Sequence, residues 1–375
     1  MKRFFVAALF ALCALSAHAF DAASLDFSIK PKTAFTAQPL GASTRRGGFV
    51  APHGTARQNA RDVPLPSKKL LRGFERFPKV DAFGDALPDS FLLYRQNLSG
   101  AQKTAYDEIY KAVMNAAPAL PLLSRVSKRE LGAVIEAVYY DNPECFWWAG
   151  DCGWYYNADG TVTEVRFTYL FSDAELAQKS KLFLNLSLPI IFYANLLESD
   201  MDKIKYVHDY LCLSVDYDQA AFDAGDYGGK LQSAYSAVVE YKSVCAGYSR
   251  AFAYYMQQLG IPCTVVHGDG HAWNLLCADG EFCQMDVTWN DGSYIPPYFN
   301  LPHSAMQRVE SHTPSPASRA VIAAHPSHSE RAMYEAYFGA LPTGLPYTYQ
   351  EFSNLAADIE APAYARVYTA NTGAE

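Results

Sequence analysis

Several things are missing from this 375-residue chain, and each absence narrows what it can be. It has no run of Lys and Arg: 31 basic residues face 39 acidic ones, for a formal charge of −8. Nonspecific nucleic-acid binding needs a basic surface that displaces counterions, so no nucleic-acid partner is expected. It has no apolar run of spanning length after its first fifteen residues, which leaves no integral membrane segment once those are removed. It has no close Cys-x-x-Cys pair and no two-by-two ligand cluster, so neither metal nor other cofactor is expected. It also has no internal repeat. What remains is rich in core-forming residues, at 50% hydrophobic, 14% aromatic and 19% charged, far too apolar for a disordered chain.

The first nineteen residues have the layout of an export signal. Lys2 and Arg3 form a basic head, Phe4 to Leu15 an apolar run, and Ala17-His18-Ala19 a small-x-small cleavage site. Removal of residues 1–19 takes the charge to −10 and makes the mature protein secreted or periplasmic. Export changes the meaning of the cysteines. Seven remain (Cys145, Cys152, Cys212, Cys245, Cys263, Cys277 and Cys283), an odd number, so at least one thiol stays unpaired and is either buried or has a task.

Residues 20–87 are rich in Ala, Gly, Pro, Ser, Thr and Arg, and read as an extended linker or an arm lying on the domain. Residues 88–195 form a helical and aromatic section. Ser99 precedes a run in which Tyr106, Ile109, Tyr110 and Val113 recur at helical spacing. Leu131, Val134, Ile135 and Val138 mark a second helix over 128–140, ended by Asp141-Asn142-Pro143. Phe146-Trp147-Trp148 and Trp154-Tyr155-Tyr156 suggest a strand pair closed by a Cys145–Cys152 disulfide. A turn at 157–160 leads into a strand over 163–169. A helical stretch over 173–195 contains Pro189, which is expected to break or kink it unless it opens a new helix.

Residues 196–375 carry the chemistry. Around Val244-Cys245-Ala246-Gly247-Tyr248-Ser249, the spacing of Tyr248, Phe252, Tyr255, Met256 and Leu259 places Cys245 at a helix N-terminus, stopped by Gly260-Ile261-Pro262. Free N–H groups and the helix dipole there favour the thiolate. Downstream, His271-Ala272-Trp273-Asn274 and Met285-Asp286-Val287-Thr288-Trp289-Asn290-Asp291 flank Asp279-Gly280, a strong hairpin signal. With Asp279 and Gly280 as the loop, Ala278 faces Glu281, Cys277 faces Phe282 and Trp273 faces Asp286. His271 then lies diagonal to Asp286, about 7–8 Å away at Cα and within reach of a side-chain hydrogen bond. A Cys277–Cys283 disulfide would need a one-residue slip that separates the two. His267, beside a Gly-Asp-Gly turn, is read as a strand residue.

These three blocks, in this order, resemble the core of the transglutaminase-like superfamily, a branch of the papain-like thiol enzymes. The resemblance implies an α+β fold in which a nucleophile helix packs on an antiparallel sheet, beside the N-terminal helical section. Cys245 matches the nucleophile, His271 the general base and Asp286 the residue that orients it. It implies acyl transfer on protein or peptide amide bonds through a thioester, as a peptidase or as a transglutaminase or deamidase, with a protein or peptide as partner. Tyr235 is the candidate second oxyanion donor beside the Cys245 N–H, and Trp273 and Trp289 are candidate walls of the substrate cleft. The rival expectation is a non-catalytic binding or scaffold domain that keeps the fold.

Overall fold

The computed structural model describes residues 51–52, 54–62, 87–292, 296 and 298–327. Residues 1–19, read as an export signal, and most of residues 20–87, read as an arm, lie outside the described residues. Within the arm, Gly54–Gln58 forms strand β1. Helices α1 (Gly100–Met114) and α2 (Lys128–Asp141) follow, each opened by a reciprocal serine capping box, Ser99 with Gln102 and Ser127 with Glu130. Between them runs the short strand β2 (Ala119–Pro121), and after them come β3 (Trp148–Tyr156) and β4 (Val162–Tyr169). These strands make one sheet in the order β1-β3-β4-β2, with β1 parallel to β3 and the other pairs antiparallel.

Two expectations fail here. The aromatic stretch is one strand with a register shift between Trp148 and Cys152, not a strand pair; Phe146 and Trp147 lie in the preceding turn, and Gly150 takes φ +85°. No disulfide joins Cys145 to Cys152. Cys145 Sγ instead lies 3.2 Å from Met114 Sδ, while Cys152 pairs across the ladder with Phe167. The Trp147 indole N–H donates to Val113 O at 2.9 Å, fastening this turn to the end of α1.

Helix α3 (Asp173–Ala194) is continuous through Pro189, rather than broken by it. Proline there leaves the carbonyl of Asn185 without its helical donor, a local cost that the packing of Phe183, Ser187 and Ile191 into the core offsets. Helix α4 (Asp200–Ser214) follows. Next, the two-residue strands β5 (Asp216–Tyr217) and β6 (Lys242–Ser243) pair in parallel, with helix α5 (Ala234–Val238) between them in the chain.

Helix α6 (Cys245–Gln258) leads into an antiparallel sheet of β7 (Cys263–Gly268), β8 (His271–Ala278) and β9 (Glu281–Met285), in the order β7-β8-β9. Gly260 at φ +79° stops α6, as its position predicts. Short helices α7 (Val287–Asn290) and α8 (His303–Met306) and helix α9 (Pro316–Ala324) complete the described chain.

The expected packing of a helix on an antiparallel sheet is therefore present. Helix α6 is buried along nearly its whole length. Ser249 Oγ donates to Ala272 O (3.0 Å) and Asn274 Nδ2 to Ser249 O (2.8 Å), stitching α6 to β8. The N-terminal section joins the same core: Arg250 donates to Tyr139 O (2.6 Å) with its guanidinium 4.1 Å from the Tyr139 ring centroid, and Thr264 Oγ1 donates to Tyr140 O (3.1 Å). One continuous apolar cluster runs from Leu93 to Ile322.

Candidate active site

The hairpin places the site. Asp279 (φ 49°) and Gly280 (φ 86°) form its two-residue turn, and the pairs run from Ala278–Glu281 through Cys277–Phe282 and Leu276–Cys283 to Asn274–Met285. This is the register the Asp-Gly signal predicts. One step beyond the last pair, Asp286 leaves the strand and caps α7, its Oδ1 accepting from Trp289 N at 3.0 Å. Its other oxygen, Oδ2, lies 2.6 Å from His271 Nε2. Both groups are buried, at 0% and 1% exposure.

Cys245 is the first residue of α6 and is fully buried. The backbone N–H groups of Ala272, the residue after His271, and of Ala246 and Cys245 itself act to lower its pKa. These donors favour the thiolate, as expected from the helix N-terminus. Burial outweighs them, and the nearby Asp286 charge adds to it, so the thiol is pushed up to about 12. The expectation of a depressed thiol is thus corrected: loss of water costs the anion more than these N–H groups return.

Burial also lowers the proton affinity of His271, against the pull of Asp286. For Asp286, burial alone would raise the carboxyl. The charges and hydrogen bonds of His271 and of a second imidazole, His312, overcome that and hold it well below the usual carboxylate range. His312 is the group that the sequence did not disclose: its Nε2 lies 2.9 Å from the same Asp286 Oδ2. It sits 26 residues beyond Asp286 in a stretch without periodic pattern, and no motif marks it.

The donor atoms of His271, Asp286 and His312 all fall within 4.8 Å of one another, a set that could hold a metal ion. The separations of 2.6 and 2.9 Å are those of hydrogen bonds, however. Two ligands on a tetrahedral zinc stand roughly 3.3 Å apart, given bonds of about 2 Å, so an ion would have to spread this group.

The candidate tryptophans are both here. Trp273 is fully buried, stacks near His271 (centroids 6.0 Å, 18°) and donates its indole N–H to Gln284 Oε1 at 2.7 Å, so it packs beneath His271. Trp289 is half-buried, 5.4 Å from the His271 ring, and so can form a wall. Tyr235 is buried, on the short helix that packs against α6, and its ring lies against Phe146 (5.1 Å) and Phe171 (5.7 Å), under the Lys179 ammonium (4.9 Å). His267 is a strand residue, 2.9 Å from Glu136 Oε1 and stacked on Tyr140 at 4.8 Å.

The family model of the transglutaminase-like superfamily matches residues 193–287, a span that includes Cys245, His271 and Asp286. A solved structure described as "Crystal structure of a TGase" is similar at 18% identity with a TM-score of 0.28, over 37% of this chain and 44% of that one. The chain thus aligns with less than half of that protein's length. No curated protein matches.

Proposed function

Because residues 193–287 form a transglutaminase-like core, we propose that the protein is an exported, thiol-dependent acyl-transfer enzyme acting on amide bonds of proteins or peptides. The observation that carries this reading is the buried 2.6 Å contact between His271 Nε2 and Asp286 Oδ2, on a strand that Ser249 and Asn274 tie to the helix headed by Cys245. With Nε2 engaged by the carboxylate, His271 Nδ1 is the basic position.

On substrate binding, His271 takes the Cys245 proton as sulfur attacks the amide carbonyl. The tetrahedral oxyanion then accepts the Cys245 backbone N–H at the head of α6. His271 returns the proton to the departing amine or ammonia, and the acyl group remains as a thioester. Water gives a peptidase or deamidase; an incoming amine gives a transglutaminase. Asp286 fixes the imidazole tautomer and stabilises its charged form throughout. Export is supported by the basic head, apolar run and Ala-His-Ala site of residues 1–19. Among the described residues no helix is long and apolar enough to cross a membrane.

The complete burial of Cys245 favours a second reading, a non-catalytic domain that keeps the fold. A thiol-reactive amide separates the two. On the enzymatic reading it labels Cys245, and His271→Ala slows labelling strongly; equal rates in both proteins favour the scaffold. Incubation with mixed proteins and a tagged primary amine then separates the enzymes, by fragments for a peptidase or amine incorporation for a transglutaminase.

A further inference from the structure

His312 has a hydrogen-bonding arrangement that ordinary neutral histidine cannot satisfy. Its Nδ1 lies 2.8 Å from the carbonyl oxygen of Glu310, and its Nε2 lies 2.9 Å from Asp286 Oδ2. A backbone carbonyl and a carboxylate can only accept. Both ring nitrogens must therefore donate, and only the imidazolium carries two N–H groups. The surroundings agree with a cation: the ring centroids of Trp273, Trp289 and Tyr298 stand 4.7, 4.8 and 6.0 Å away. Aromatic rings at such distances are favourable company for a desolvated positive charge. His312 itself is 1% exposed.

The chain is built to deliver it. Thr313 N donates to Asp269 Oδ2 (3.2 Å) and Ser315 N to His267 O (2.8 Å), so residues 312–315 are laced to the end of β7. Gly268 permits this approach, because a Cβ there would stand 1.8 Å from Thr313 O.

We propose that His312 is a positioning residue of the active site: as an imidazolium it shares Asp286 with His271, holds that carboxylate ionised, and weakens His271 as a base. This rests on the reading of Cys245, His271 and Asp286 as the reacting set. Asp286 faces two rings, so its negative charge is balanced before His271 takes a proton. The resting site then keeps a neutral thiol and a neutral His271 instead of an ion pair, and charge separates only when substrate arrives. The charge of His312 acts on His271 in that sense, lowering its proton affinity. Among the described residues, the titratable side chains that face the His312 ring are Asp286, His271 and Tyr298.

Two measurements test this. In protein labelled with nitrogen-15 at histidine, the full chain at neutral pH should show His312 with hydrogen on both ring nitrogens. One bare nitrogen overturns the proposal, whatever the fate of the catalytic reading. The second is the pH dependence of Cys245 alkylation by iodoacetamide. His312→Gln keeps a donor for Asp286 but removes the charge, so the midpoint due to His271 should rise by about one pH unit. His312→Ala should show the same rise with a lower plateau; should it fail to fold, the Gln variant suffices. A purely structural role would lower the melting temperature and leave the midpoint in place, which also overturns the proposal. If His271→Ala retains the wild-type midpoint, the catalytic reading fails instead, and the nitrogen-15 spectrum still decides the state of His312.

Discussion

Gly247, two residues after the thiol, is where opposing effects can be weighed from coordinates. In an unobstructed helix, replacing glycine by alanine stabilises by about 1 kcal/mol, because the unfolded chain loses freedom. Here the added Cβ would stand 1.9 Å from Ser243 Oγ and 2.8 Å from both Leu231 O and Ser236 Oγ. Ser243 Oγ is not free to turn aside: it bonds Ser236 Oγ at 2.7 Å and donates to Leu231 O at 2.9 Å. Displacing it sacrifices two buried hydrogen bonds at about 1 kcal/mol each. Forcing a methyl into this packing adds roughly 1–3 kcal/mol of strain. Loss outweighs gain, and Gly247→Ala should destabilise the protein by about 2–4 kcal/mol. Urea unfolding followed by tryptophan fluorescence measures this as a lower midpoint at unchanged slope. A variant as stable as wild type, or more stable, would refute the reasoning.

Other outcomes follow from the same geometry. Asp286→Asn replaces an ionised partner of two imidazoles, and should slow Cys245 acylation by about 10⁴-fold, measured as kcat/KM once a substrate is found. Gly268→Ala should push Thr313 off β7 and carry His312 from Asp286, raising the alkylation midpoint as His312→Gln does; an unchanged midpoint would mean the 312–315 segment adapts. Acid should destabilise in two stages. Folded His271 binds its proton less readily than the unfolded value of 6.5, so stability falls as pH drops below that value, by up to about 1.4 kcal/mol per unit. The stabilisation from depressed Asp286 is present above its unfolded value of 3.8 and is lost as pH falls through its folded value. In alkali, buried Cys245 at about 12 against 9.0 unfolded makes stability fall as pH rises past 9.0, and a Cys245→Ala variant should show a shallower decline in urea titrations. Dithiothreitol should leave the melting temperature unchanged, since Cys145 and Cys152 are not joined; a drop of several degrees would reveal a cystine.

What could be read in advance was local. The Asp279-Gly280 turn fixed the register of β8 on β9, and that register pointed to His271 and Asp286 as neighbours, although Asp286 itself lies one step beyond the ladder. Helix periodicity located α1, α2 and α6 to within a residue or two. Contests between distant groups were not legible. No spacing rule says that desolvation will beat three N–H donors at Cys245. His312 reaches Asp286 only because the chain returns over Gly268, and a lone histidine in a Pro/Ser/Thr segment gives no sign of that. Cys145 and Cys152 are near in sequence, yet the first packs on Met114 of α1 and the second follows the ladder. Strand β1 has all five residues exposed and so no alternating apolar signal; main-chain pairing with β3 makes it.

That strand has a practical corollary. By occupying one margin of β3 from Cys152 to Tyr156, the segment 54–58 screens a row of amides and carbonyls that would otherwise invite another molecule to add itself. Shortened versions of the chain that begin after Gln58 should therefore tend to self-associate, while those that retain Gly54 should not.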